Sequence, residues 1–173
     1  GNLSVLISID FLLSPFPITN IIKYVYNMTT SIYTDITQWI KKIIVVHEKL
    51  GNHSMCPFAK NARYHIVQAS ALDVDPVLIR KEVCIFIVPN NITKSRLNNY
   101  CKKISKKYPE YIFLPDHRKA NTKMRGMSTG NGKYNLILAQ KRKSLTLARQ
   151  SLEQNTSYYD NLSKKYKKEL WSF

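Results

Sequence analysis

Residues 83–88 have the sequence Val-Cys-Ile-Phe-Ile-Val, six apolar side chains in succession. Because neighbouring side chains of a β-strand point to opposite faces of the sheet, a strand of this composition is apolar on both faces. Its β-branched and aromatic residues also favour extended structure. The run ends at Pro89-Asn90-Asn91. The segment is therefore predicted to be a central strand, which commits the chain to a sheet.

Weaker patterns on either side of this strand predict the other elements. Apolar residues recur at helical spacing over about 32–49, 94–107, 141–153 and 157–171. Further strands are predicted at 64–69, 111–114 and 134–139. The order α-β-β-α-β-β-α-α predicts an α+β fold of two layers, in which helices pack on one face of a mostly antiparallel, four-stranded sheet.

The length of 173 residues suits one domain. Residues 28–173 are expected to form it, because Met28 followed by Thr29-Thr30-Ser31 is typical of a native start. Residues 1–27 are then an N-terminal extension, either non-native sequence or a docking arm. Their apolar run at 3–13 is shorter than the roughly 20 residues that cross a bilayer, so we expect no membrane span.

The three cysteines are Cys56, Cys84 and Cys101, an odd number without the spacing of a disulfide scaffold. This predicts a reducing, intracellular compartment, most simply the cytoplasm. His53 and Cys56 have the spacing of one pair of zinc ligands, but a structural zinc site needs four ligands. We therefore predict no metal and no other cofactor.

Charge is the unusual feature of the composition, with 27 Lys and Arg against 11 Asp and Glu and a net charge of +16. Residues 94–173 hold 19 of these basic side chains and only 5 acidic ones. Such a field attracts polyanions, whereas the simpler alternative is a lysine-rich, merely solvated surface. The leading hypothesis is a binding module for nucleic acid, or else for a phosphorylated ligand, that uses the basic surface of residues 94–173.

The residues predicted to contact phosphates share a positive charge and a position in or near predicted loops. They are Lys60, Arg63, Arg118, Lys119, Lys123, Arg125, Lys133, Lys141, Arg142 and Lys143.

The segment Ser-Met-Cys-Pro-Phe-Ala-Lys-Asn-Ala-Arg at 54–63 has features that lower the pKa of a thiol. Lys60 and Arg63 follow Cys56 closely, and Pro57 suits the first position of a helix. Cys56 is therefore a candidate nucleophile, redox cysteine or part of an anion site. The alternative is a small buried hydrophobic residue at a tight turn.

Asp116 and His117 form an adjacent acid–histidine pair. If their loop meets Cys56 in space, the three complete a Cys/His/Asp catalytic set. A second hypothesis is thus an enzyme or a small-anion-binding protein with a pocket around Cys56. A third is an accessory subunit of a larger assembly, docked through residues 1–27.

An amphipathic helix, then Met55-Cys56-Pro57-Phe58-Ala59, two strands and Tyr-Pro-Glu-Tyr-x-Phe at 108–113 together resemble a known protein group. It is a family of uncharacterised bacterial and bacteriophage proteins with a Cys-Pro-Phe-Ala loop. Residues 129–136 and 157–161 are similar to marine phage members of it. The resemblance covers about residues 31–171. It implies an intracellular domain with a site near Cys56, and no established activity.

Overall fold

The computed structural model describes residues 30–164 and 167–168. The predicted extension at 1–27 and part of the predicted last helix at 157–171 lie outside these residues. Three α-helices are described: α1 (Thr30–Ile43), α2 (Lys94–Lys107) and α3 (Arg142–Asn155). In this part of the chain, no helix is long and apolar enough to cross a membrane.

The strands, in chain order, are β1 (Val46–His47), β2 (His53–Ser54), β3 (Tyr64–Gln68), β4 (Val83–Val88), β5 (Tyr111–Asp116), β6 (Lys123–Met124), β7 (Met127–Ser128) and β8 (Asn135–Lys141). Short 3₁₀ helices are formed by Glu48–Leu50, Pro57–Ala59, Pro76–Leu78 and Tyr158–Asn161. The predicted α+β class is confirmed.

The main sheet has the strand order β3-β4-β8-β5. β4 is an inner strand, as its composition predicted. β8 pairs antiparallel with both β4 and β5, whereas β3 and β4 are parallel. The sheet is therefore mixed. The parallel pair arises because residues 69–82 are long enough for a crossover connection, which needs about a dozen residues, and do not form a tight hairpin.

The two faces of β4 are both covered by helices, so the prediction that helices pack on one face was wrong. One face forms a cluster of Cys84, Phe86 and Val88 with Leu97, Cys101 and Ile104 of α2. The other forms a cluster of Ile85 and Ile87 with Ile36 and Ile40 of α1. The reason is the composition of β4 itself: apolar groups on both faces must both be removed from water.

The core on the α1 side continues into a third cluster, built from separate segments. Its buried members are Ile43, Leu50, Met55, Met124, Tyr158, Tyr159 and Leu162. Met124 is supplied by the β6–β7 hairpin, within residues that the sequence predicted to be loop. The hairpin turns at Arg125-Gly126, with φ angles of 49° and 84°. This is the type I′ geometry, in which Gly126 is favoured because both central residues need positive φ.

Candidate ligand pocket

A cavity of about 290 Å³ lies between the α1 face of the sheet and its cover. The floor includes Ile85, Leu114 and Leu138 of three adjacent strands. The cover comes from α1, α3, residues 55–59, the β6–β7 hairpin and the segment around Tyr158 and Tyr159. The volume is near the lower end of that of small-molecule sites, about 300–1,000 Å³. The cavity is thus of the size that holds a small organic molecule.

Most of the wall is apolar, and it is rich in aromatic rings. The aromatic residues that line the cavity are Trp39, Phe58, Tyr64, Tyr158 and Tyr159. The ring of Trp39 is held by a hydrogen bond from its Nε1 to the carbonyl oxygen of Thr129, 2.9 Å away. Tyr158 is held in the same way, because its hydroxyl donates to the carbonyl oxygen of Met55 at 2.8 Å.

Cys56 lines this cavity at the point where the chain enters the Pro57–Ala59 3₁₀ helix. Pro57 occupies the first helical turn, as predicted. The backbone N–H of Cys56 donates to the carbonyl oxygen of Ile43 at 3.0 Å, which joins the segment to the end of α1. Burial raises the pKa of the Cys56 thiol, and the N–H groups of Ala59 and Phe58 offset this only in part. The predicted lowering of this pKa was wrong, and the thiol is protonated at neutral pH.

Lys60 and Arg63, the cations expected to activate Cys56, are exposed and do not line the cavity. Arg63 instead pairs with Glu82: its Nη2 lies 3.1 Å from Oε1, and its backbone N–H donates to Oε2. The chain leaves the 3₁₀ helix at Ala59 and runs along the surface to β3, which carries both cations away from the thiol.

Asp116 lines the cavity from the end of β5. Its Oδ2 accepts two hydrogen bonds from Asn131, from the backbone N–H at 3.1 Å and from Nδ2 at 2.8 Å. Among the described residues, no donor contacts Oδ1. Burial raises the pKa of the Asp116 carboxyl, and the two bonds from Asn131 oppose that rise. Asp116 therefore holds a proton more readily than an exposed aspartate does.

Arg149 of α3 also lines the cavity, although it is only 6% exposed. In the β5–β8 ladder, Tyr111 pairs with Lys141 at one end and Asp116 lies at the other. Because α3 begins directly after Lys141, Arg149 reaches the cavity from the end opposite to Asp116. Burial raises the pKa of the Tyr159 phenol, Arg149 lowers it, and Glu153 and Cys56 raise it. Arg149, Tyr159 and Cys56 thus influence one another in one region of the wall.

Arg149 was not among the predicted site residues, because arginine side chains are mostly exposed. A signal was present: Arg149 follows Leu145 by four residues and precedes Leu152 by three, which places it on the apolar face of α3.

His117 is not part of this cavity, so the structure does not bring Cys56, Asp116 and His117 together. The His117 ring is buried on the other side, with Nε2 3.0 Å from the carbonyl oxygen of Ile92. Its Nδ1 accepts from the backbone N–H of Lys119 at 3.1 Å. The cause is the alternation of extended chain, because two consecutive side chains point to opposite faces.

The other predicted phosphate contacts are divided between exposed and structural positions. The exposed ones are Lys119, Lys123, Arg125, Lys141 and Lys143. Lys133 pairs with Asp35 of α1 at 2.7 Å. Arg142 donates to the carbonyl oxygens of Pro109 and Tyr111, and the half-buried Arg118 donates through its backbone to Asn135 Oδ1. The ten residues therefore do not form one continuous surface of free cations.

No group of three His, Cys, Asp or Glu side chains in the described part of the chain could hold a metal ion. Comparison of the chain with protein-family models, with curated proteins and with solved structures gave no match. The resemblance to proteins with a Cys-Pro-Phe-Ala loop consequently stays a prediction.

Proposed function

We propose that this protein binds a small aromatic acid in the cavity beneath α1. The observation that carries the proposal is a buried arginine in the wall of a largely apolar, aromatic-rich cavity. Such a combination of an apolar enclosure with a few fixed polar groups is typical of small-molecule sites.

The apolar wall accounts for the body of the ligand. Aromatic rings pack well against one another in tilted and edge-to-face arrangements, and Tyr158 and Tyr159 already pack so, with ring centroids 5.2 Å apart. Transfer of a flat ring from water into this enclosure is favourable by about 25 cal/mol per Å² of apolar surface buried.

The polar groups account for the acidic substituent. A carboxylate, sulfonate or phosphate gains most from Arg149, because a planar guanidinium donates charge-assisted hydrogen bonds and this one is largely buried. Asp116, the acidic residue of the wall, lies at the opposite end of the β5–β8 ladder from α3, and its Oδ2 already accepts two hydrogen bonds from Asn131. The thiol of Cys56 contributes a polarizable contact to the ring.

Binding is favoured over nucleophilic catalysis by the state of Cys56. A cysteine nucleophile needs a nearby base or a lowered pKa, and the pKa of Cys56 is raised. None of the described histidines lines the cavity.

The experiment uses two fluorescent probes that share a ring system, 1-anilinonaphthalene-8-sulfonate and the neutral N-phenyl-1-naphthylamine. We expect both to bind the protein with increased emission, and Ala62→Trp, which fills the cavity, to weaken both about tenfold or more. Lys60→Trp is the control, since it adds the same ring at an exposed neighbour that does not line the cavity. Arg149→Met replaces the guanidinium by an apolar side chain of similar length, so it should weaken the binding of the sulfonate probe alone.

Near-UV circular dichroism of each variant must match that of the parent, because a molten state also binds the sulfonate probe. Equal affinity of Ala62→Trp and the parent for both probes would show that the cavity is not the binding site. If Arg149→Met weakens the binding of both probes equally, the cavity is still the binding site, but the proposal of an acidic ligand is rejected.

A further inference from the structure

The exposed side of α2 carries positive charge and no negative charge. The helix has fourteen residues, none of them acidic. Its exposed cations are Lys94, Arg96, Lys102, Lys103, Lys106 and Lys107. We call this surface the α2 cationic face. Among the described residues, none of its members pairs with a carboxylate.

The position of α2 in the fold turns this face outward as a unit. Leu97, Cys101 and Ile104 are buried against the sheet. At about 100° per residue, Lys102, Lys103 and Lys106 lie opposite to this stripe. Arg96 and Lys107 lie to one side of it, and Lys94 lies next to it in the first turn. An α-helix rises about 1.5 Å per residue, so the face extends along the helix for roughly 20 Å. It lies on the side of the sheet away from the ligand pocket.

Stability of the helix does not explain the arrangement. Lys94 and Arg96 lie in the first turn, where the helix dipole disfavours positive charge. Lys102 and Lys106 repel each other across one turn, as do Lys103 and Lys107. The helix dipole favours Lys106 and Lys107 in the last turn, but not the charges of the first turn. The repulsion within the two pairs is unfavourable in the free protein, and a polyanion on the face relieves it.

We propose that the α2 cationic face binds the sugar–phosphate backbone of duplex nucleic acid without sequence preference. The inference is independent of the pocket and rests on charge complementarity. A duplex fits better than a single strand, because the face offers no exposed ring on which an unpaired base could stack. Tyr100 and Tyr108 are half-buried, and the Tyr100 hydroxyl accepts from the backbone N–H of Val74 at 2.7 Å.

A membrane surface fits less well. A helix that binds a bilayer inserts its apolar side between the lipids, whereas the apolar side of α2 is occupied by the sheet. The exposed large apolar side chains of the described residues lie elsewhere, at Tyr33, Val45, Val46, Val77 and Leu147.

The experiment measures fluorescence anisotropy of a labelled DNA duplex of about 24 base pairs between 50 and 300 mM salt, with the full chain. About four phosphate contacts predict a log–log slope near −3.6. The triple substitution Lys102→Gln, Lys103→Gln and Lys106→Gln should weaken binding at 50 mM salt at least tenfold and flatten the slope by up to about 2.7. The matched control, Lys60→Gln, Lys119→Gln and Lys123→Gln, removes the same charge from exposed sites outside α2 and should change binding at most threefold.

Equal weakening by the two triple variants would overturn the proposal, because the effect would then follow net charge alone. A slope near zero would overturn it as well. If a single strand binds more tightly than the duplex, the proposal of a duplex ligand is rejected. If phosphatidylserine vesicles bind and DNA does not, the proposal of a nucleic-acid ligand is rejected.

Discussion

The two faces of the central sheet are closed in different ways. On the α2 face, α2 and the connection at 69–82 cover the strands, and Cys84, Phe86, Leu97, Cys101 and Phe113 are all 0% exposed. On the α1 face, the cover is assembled from α1, α3 and three separate segments, and it leaves the cavity of about 290 Å³. Both faces meet the same four strands, so the difference arises from the covering segments.

This difference indicates which face of the sheet has room for a binding site. On the α2 face, the covering segments match the sheet closely and leave little space between the layers. On the α1 face, the cover packs less closely, and its segments bring polar side chains to the space that is left. On the α1 face these are Cys56 from a loop, Asp116 from a strand end and Arg149 from α3.

The largest expected difference between the faces is in stability. Ile137 is fully buried on the α2 face, whereas its neighbour Leu138 lines the cavity. We expect Ile137→Ala to lower the free energy of unfolding by about 3–5 kcal/mol, and Leu138→Ala by only about 1–2 kcal/mol, because the second adds to an existing cavity. Urea unfolding with the slope held common gives both values. Equal losses would mean that the two faces pack equally well.

The next effect tests how the cavity end at Asp116 is held. Besides its bonds to Asp116, Asn131 donates from Nδ2 to the carbonyl oxygen of Tyr134 and accepts at Oδ1 from the N–H groups of Lys133 and Tyr134. We expect Asn131→Ala to lower the free energy of unfolding by about 2 kcal/mol, since partly buried groups lose their partners.

Asn131→Asp is the informative companion of that variant. It keeps the acceptor for the two backbone N–H groups but puts a second carboxylate beside Asp116, and the two raise the pKa of the pair. The folded state then binds more protons than the unfolded chain, so the stability of Asn131→Asp should rise as pH falls from 7 towards 4. A loss of stability that is the same at both pH values would contradict the contact.

The cysteines on the two faces of the sheet should differ in their reactivity. Burial raises the pKa of Cys84 and of Cys101 to about 12, and both lie in the α2-side cluster. Cys56 is half-buried in the cavity wall. With methyl methanethiosulfonate at pH 8, we expect Cys56 to react at least about tenfold faster than the other two, yet more slowly than an exposed thiol.

Mass spectrometry of the labelled peptides resolves the order of reaction. The sulfonate probe should protect Cys56 and leave the other two rates unchanged. Faster labelling of Cys84 or Cys101 would contradict the assignment of the cavity to the α1 face.

The smallest effect concerns the attachment of α1 to the rest of the cover. Hydrogen bonds from Lys133 and from the Tyr134 hydroxyl, each 2.7 Å long, hold the pKa of Asp35 below its usual value. A carboxyl with a lowered folded-state pKa stabilises the protein above its unfolded pKa, and this stabilisation is lost as pH falls through the folded one. The melting temperature of Asp35→Asn should therefore fall less than that of the parent between pH 6 and 3.

The change is expected to be small because the pair is exposed to solvent. Glu82→Gln, which removes the Arg63 pair away from α1, is the control for surface ion pairs in general. The affinity for the probes should decrease in Asp35→Asn and stay constant in Glu82→Gln. The reason is that Asp35 belongs to α1, which covers the cavity, whereas Glu82 pairs with Arg63 away from α1.

Several elements could be predicted from the sequence because their signals are local. The six apolar residues of β4 identified an inner strand. The helix at 94–107 was predicted with its observed bounds, and its N-cap Thr93 accepts at Oγ1 from the N–H of Arg96 at 3.3 Å. α1 ended six residues before its predicted end at 49, because the apolar period continues through Val46 and His47, which form β1.

The candidate site was predictable only in part. Cys56 and Asp116 were found because a Cys-Pro turn and an acid–histidine pair are visible in a few adjacent residues. That Asp116 enters the cavity and His117 does not was decided by the direction in which β5 presents its side chains. Arg149 became a wall residue only because α3 folds back over the sheet.

Tertiary structure alone decided that β8 lies between β4 and β5, that β3 runs parallel to β4, and that helices cover both faces. Periodicity reports which side of an element is apolar, since that depends on the spacing of neighbouring residues. It does not report which distant segment supplies the covering surface. That choice depends on contacts between residues far apart in the chain, and the cavity that brings together Cys56, Asp116 and Arg149 is a product of those contacts.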